Sequence, residues 1–84
     1  MQSTLAQHFG SVVRTLRQEA GMSQVVFGER CGFYQTYLSR VENGQANPTL
    51  NAIEVIAGSL GMTVFDLFDR VREHAIATTS KNTK

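Results

Sequence analysis

The sequence predicts an all-α fold of five helices, and three observations predict it. Apolar residues recur at three- and four-residue offsets in successive stretches, the period of a helix with one buried face. Most of these stretches open on a Ser or Thr able to cap a helix, and most are followed by a glycine, at positions 21, 32, 44 and 61. Nowhere does the apolar pattern alternate with the two-residue period of a half-buried strand, so no hairpin is expected.

Leu5, Phe9, Val12, Val13 and Leu16 form the first stripe, with Ser3 or Thr4 as N-cap and Gly21 as the stop after Ala20. Ser23 caps a second helix, QVVFGERC, about two turns long; it ends at Gly32, which carries no Cβ and so enters a positive φ without steric cost. The third covers residues 34–43, with Tyr37, Leu38 and Val41 on its apolar face and Gly44 just beyond its last turn. GQANP is a loop, and Thr49 after Pro48 caps a fourth helix whose stripe is Leu50, Ile53, Ala57 and Leu60, closed by Gly61. Thr63 followed by Asp66 has the spacing of a capping box with Asp in place of Glu, and it opens a fifth helix bearing Val64, Leu67, Phe68 and Val71. From Ala77 on, ATTSKNTK has no periodicity. The expected organisation is therefore one domain over residues 1–76 and a disordered tail over residues 77–84.

With 84 residues and 42% hydrophobic content the chain supports one core and no separate effector domain. The single cysteine, Cys31, excludes an intramolecular disulfide and lacks the neighbours of a metal site, so it is expected to be a small buried side chain, with no metal and no cofactor. His8 and His74 are isolated in sequence and read as ordinary surface residues; no paired carboxylates and no phosphate loop accompany them, so neither an enzyme nor a small-molecule substrate is expected. MQSTLAQHFG lacks a basic segment leading into an apolar run, and no apolar run is long enough to span a bilayer, which predicts a soluble cytoplasmic protein with no membrane partner. A net charge of +1 does not by itself announce a nucleic-acid binder. Binding to DNA has to come from a few placed residues, backbone N–H groups and doubling by symmetry.

Residues 23–44 have the parts of a helix-turn-helix, in which the first helix braces against the DNA backbone and the second enters the major groove. Gln24 opens the bracing helix, where its amide and the unpaired N–H groups can meet a phosphate. Gln35, Thr36, Ser39 and Arg40 share the face opposite Leu38 and Val41 and present groups that read base edges: amide on adenine, guanidinium on guanine, methyl on thymine. The plain alternative for such a face is solvation. Tyr37 suits a phosphate at the groove rim, whereas Tyr34 is assigned no role. Asn43, Gln45 and Asn47, around Gly44, are expected on the sugar-phosphate backbone, although turns also use these residues for local geometry.

The run GMSQVVFGERCGFYQTYLSRVENGQANPTL, with Gly21, Ser23, Gln24, Gly32, Glu42, Gly44, Pro48 and Leu50, resembles the Cro and phage-repressor (XRE-like) type of helix-turn-helix protein, a lambda-repressor-like fold, over about residues 5–68. Within that type QTYLSRVENGQANPTL looks most like the single-domain, dimeric controller proteins of restriction-modification systems. The resemblance implies phosphate contacts from Gln24, Asn43 and the loop after Gly44, base contacts from Gln35, Thr36 and Arg40, and a structural, partly buried ion pair between Arg17 and Glu42. Three departures stand out. Phe27 and Gly28 replace a Leu-Ala step, Gln35 stands where controller proteins commonly carry Arg or another base reader, and the loop QAN lacks a basic residue that many relatives place near the minor groove.

One recognition helix reads only a few base pairs, so a regulator of this size is expected to present two of them about 34 Å apart to a palindromic operator on double-stranded DNA. In the fifth helix Val64, Leu67 and Val71 suffice for the core, leaving Phe65, Phe68, Arg72 and Ile76 as a second stripe and the expected homodimer interface, with a place in the core as the alternative for Phe68. Without a sensor domain, control by the protein's own concentration is the simplest regulation. The alternative is an antitoxin-like or adaptor module that uses the same fold to hold a protein; salt-dependent DNA affinity separates the two.

Overall fold

The computed structural model describes the backbone of residues 4–82 and the side chains of residues 4–79. Five helices follow one another: α1 (Leu5–Glu19), α2 (Gln24–Cys31), α3 (Gln35–Glu42), α4 (Leu50–Ser59) and α5 (Val64–Asn82), with no strand among the described residues. Four begin at a hydroxyl that accepts from a backbone N–H two residues into the helix. Ser23 Oγ takes Val26 N at 3.1 Å, and Thr49 Oγ1 and Thr63 Oγ1 take Ala52 N and Asp66 N, each at 3.0 Å. At α1 the cap is Thr4, and it is reciprocal: Thr4 Oγ1 accepts from Gln7 N while Gln7 Oε1 accepts from Thr4 N, a complete capping box. Ser3 lies outside the described residues. Only α3, entered through an extended Tyr34, starts without a side-chain cap.

α1 packs on α3 and α5, α2 on α3 and α4, and α4 on α5, so α3 is held from behind by two helices. Val13, Phe27, Leu38, Val41, Ile56 and Leu67 are fully buried where these contacts meet; Phe9, Val12, Ala57 and Val71 complete the core. The stripe expected on α4 needs correction. Leu50 is 82% exposed, whereas Ile56, outside that stripe, is buried beside the expected Ala57, with Ile53 and Leu60 partly buried against the core. Leu50 is the first residue of α4, and a helical Cβ leans toward the N-terminus, which carries its side chain past the neighbouring helices rather than between them.

Three further expectations change. Residues 77–82, expected to be structureless, continue α5 as helix; once a helix is nucleated, each added residue gains a hydrogen bond for one fixed backbone unit, so a polar extension needs no apolar stripe of its own. Residues 83–84 lie outside the description. His8 and His74 are not isolated: their rings meet edge to face across α1 and α5, with Nδ1 to Nδ1 at 3.0 Å, one imidazole donating and the other accepting. Cys31 is half-buried against the core rather than fully enclosed; burial pushes its thiol up, against the lowering effect of a hydrogen bond with Ser59 and the charge of Arg30, which makes it a poor nucleophile.

Gly28 has a steric reason. A Cβ there would lie 2.9 Å from the carbonyl oxygen of Phe33, whose N–H bonds Gly28 O at 2.8 Å, so the α2–α3 turn closes directly on this backbone. Gly58, by contrast, is an exposed position within α4 where an added Cβ meets nothing within 4 Å. Gly58→Ala is expected to stabilise the fold by about 0.4–1 kcal/mol, through helix propensity and a less flexible unfolded chain. A thermal melt showing a rise of a few degrees checks it. No single helix among the described residues is long and apolar enough to cross a membrane.

Candidate nucleic-acid interface

Gly32, at φ 79°, turns the chain from α2 into α3. Because α3 buries Leu38 and Val41, the helical period sends Gln35, Thr36 and Arg40 to the exposed side together, with Ser39 half-buried at the edge. Gln24 stands half-buried at the start of α2, and Asn43, Gln45 and Asn47 are exposed after α3.

Beneath this face lies one fully buried carboxylate. Glu42 accepts from Arg17 Nε at 2.6 Å and Nη2 at 3.0 Å, while Arg17 Nη1 reaches Met22 O at 2.9 Å. The same Glu42 Oε1 accepts from Gln24 Nε2 at 3.0 Å and, at 3.5 Å, from Arg14 Nε. One carboxylate therefore ties α1, α2 and α3 together. Burial pushes the Glu42 carboxyl up, but the hydrogen bonds from Arg17, Gln24 and Arg14 and the Arg17 charge outweigh it and hold the group below its ordinary value.

The network extends to the surface. Gln35 Nε2 donates to Gln24 Oε1 at 3.3 Å, leaving the Gln35 carbonyl and its second amide hydrogen free for a base edge. Arg40 Nη2 donates to Gln45 O at 3.0 Å and Arg14 Nη2 to Asn43 Oδ1 at 2.7 Å, so both guanidinium groups are held in place by the chain that follows α3. Such an arrangement can bind a polyanion and read an edge of hydrogen-bonding groups. No three His, Cys, Asp or Glu side chains suited to a metal come together among the described residues.

Residues 8–67 match the protein family described as a helix-turn-helix domain. The chain belongs to the helix-turn-helix family. It is 39% identical over 62 residues to the control protein C.BamHI of Bacillus amyloliquefaciens, an alignment covering 73% of this chain and 76% of that one. It is 33% identical over 55 residues to the immunity repressor of Bacillus phage phi105, covering 66% of this chain but only 38% of the repressor's length. Among solved structures, the restriction-modification controller protein C.AhdI from Aeromonas hydrophila superposes with a TM-score of 0.71 at 32% identity, over 74% of this chain and 94% of that chain.

In helix-turn-helix terms α2 is the bracing helix and α3 the recognition helix. The two tyrosines differ in burial. Tyr37 is half-buried, its ring edge-on to Phe33 with centroids 5.1 Å apart, so its body is occupied in packing. Tyr34, given no role from sequence, is 86% exposed at the entrance to the recognition helix, beside Gln35. Arg14, given no role from sequence, also joins the network at Glu42 and Asn43; it lies three residues before Arg17, on the same face of α1. The α5 stripe also splits. Phe65 is 82% exposed, Ile76 and Arg72 are exposed, and Arg72 pairs with Asp69 at 2.8 Å. Phe68 instead turns inward to Phe9, ring centroids 5.9 Å apart. Phe65 shares an open hollow between α4 and α5 with Leu50, Ile53, Met62 and Val64.

Proposed function

We propose that this helix-turn-helix protein is a sequence-specific transcription regulator that binds a palindromic operator on double-stranded DNA as a homodimer in the cytoplasm. The observation that carries this reading is the outward face of α3. Gln35, Thr36 and Arg40 stand exposed together, two of them held by hydrogen bonds to Gln24 and Gln45. A preset face of amide, hydroxyl and guanidinium groups suits base edges, whereas a protein-binding face is anchored by apolar side chains in pockets. Gln24, Asn43, Gln45, Asn47 and the rim residue Tyr37 take the phosphates on either side. Dimerisation through α5 is supported by the exposed Phe65 and Ile76 and by Leu50 across the hollow, apolar groups a monomer leaves in water. Likeness to a control protein and a restriction-modification controller supports the narrower role of an autoregulatory controller whose operator occupancy follows its own concentration.

Selection of bound sequences from a random duplex library tests the reading. The wild type is expected to return a palindromic consensus, while Gln35→Ala and Arg40→Ala each relax it at particular bases, losing about 1–3 kcal/mol, roughly 5- to 150-fold, of discrimination there. No enrichment at any salt concentration rejects DNA recognition and leaves the adaptor reading in its place.

A further inference from the structure

We propose that Arg14, on α1 and outside the helix-turn-helix pair, is a DNA-phosphate contact that also sets the amide of Asn43; the inference rests on the DNA-binding reading above. The charge balance at Glu42 is the first ground. Arg17 satisfies the carboxylate with bonds of 2.6 and 3.0 Å from a side chain only 10% exposed. Arg14 is 43% exposed and approaches the same carboxylate only at 3.5 Å, longer than a charge-assisted hydrogen bond. Two guanidinium groups thus face one carboxylate, and the positive charge left over sits on the more exposed one.

Donor geometry is the second ground. A guanidinium carries five N–H donors. Arg14 uses Nε toward Glu42 and Nη2 toward Asn43 Oδ1, and its Nη1 has no protein partner among the described residues. Because Oδ1 of Asn43 is taken by Arg14, the Asn43 amide keeps its two N–H donors, which have no protein partner among the described residues. Gln24, one bond away on the shared Glu42 oxygen, keeps its second amide hydrogen. The free donors of Arg14, Asn43 and Gln24 are therefore grouped around one buried anion at the end of α3, a cluster suited to a second anion outside it. Arg14 stands on α1 and Asn43 just after α3, outside the residues assigned to base edges, so the ligand that suits them is a backbone phosphate, which positions the protein without reading sequence. In a chain of net charge +1, whose Arg70 and Arg72 pair with Glu73 and Asp69 on α5, one such cation weighs heavily.

The test is the salt dependence of binding to a duplex carrying the wild-type consensus, with folding monitored by circular dichroism. Each phosphate neutralised contributes about 0.9 to the slope of log K against log salt, so Arg14→Gln is expected to lower the slope by about 0.9 per protomer with an unchanged consensus. Arg14→Lys retains the slope. A scan of neutral methylphosphonate substitutions, run on the wild type and on a folded Arg14→Gln, is expected to reveal, among the several positions whose replacement weakens wild-type binding, one per half-site at which the variant loses clearly less. A wild-type slope in Arg14→Gln, or methylphosphonate effects undiminished in it at every position, overturns the Arg14 contact while leaving DNA recognition intact. A wild type that enriches no sequence fails both.

Discussion

Glu42→Ala is expected to cost about 3–5 kcal/mol of folding stability, the scale for removing one partner of a buried ion pair. The loss arises from what remains. Arg17 would keep its charge in a nearly enclosed site with only Met22 O as acceptor, while Gln24 and Arg14 each lose a bond. Small domains have about 5–15 kcal/mol in total, so the variant would lose a substantial part of its stability margin. Urea titration checks this as a lower midpoint at unchanged m. Glu42→Gln, which keeps shape and an acceptor oxygen, should cost less. The pair also predicts an acid response. The folded carboxyl is held below its unfolded value, so its contribution is complete above the unfolded value, about 4.3 for Glu, and is lost as pH falls through the folded one. Glu42→Gln should lack that component, and its stability should fall less steeply than the wild type's over the same acid range.

Gly10→Ala is expected to be the most damaging addition of a single methyl group, with a loss of about 3 kcal/mol, the upper end of the usual range for overpacking. A Cβ at position 10 would lie 2.3 Å from Val41 O and 2.7 Å from Glu42 O. Both atoms are backbone, so no rotamer change relieves the overlap and α1 must move away from α3. Helix propensity favours Ala over Gly by about 1 kcal/mol and offsets only part of this. The damage extends to function, because Arg14 and Arg17 reach Glu42 and Asn43 across that same contact. A fall in melting temperature together with weaker operator binding is the expected result; a melt equal to or above the wild type's, as expected for Gly58→Ala, would show that the two helices are not in tight backbone contact.

How much of this was legible beforehand depends on the range of the interaction concerned. Ser23, Gly32, Thr49 and Gly61 marked helix ends because capping and left-handed turns are settled within a few residues. The outward grouping of Gln35, Thr36 and Arg40 followed from the helical period once Leu38 and Val41 were placed inside. Leu50 misled because periodicity assigns a face to a residue without saying whether a neighbour extends far enough to cover it. Between the interface and the core the period alone left Phe68 open, since the ring of Phe9 that receives it is far away in sequence. The His8–His74 contact joins positions 66 apart, and no local pattern announces it.

The sequence alone determined the five helices, the helix-turn-helix and the side chains presented by the recognition helix, all consequences of backbone propensity, capping and a 3.6-residue period. Only the tertiary structure decided how those side chains are held. That Gln24 bridges Glu42 and Gln35, that Arg14 stands beside Asn43, and that Gly10 must lack a side chain depend on which helices meet and how closely. The reason is physical: a period selects a face, while a hydrogen bond 3 Å long or a clash at 2.3 Å depends on the separation of two helices whose packing distance the spacing of their residues does not encode.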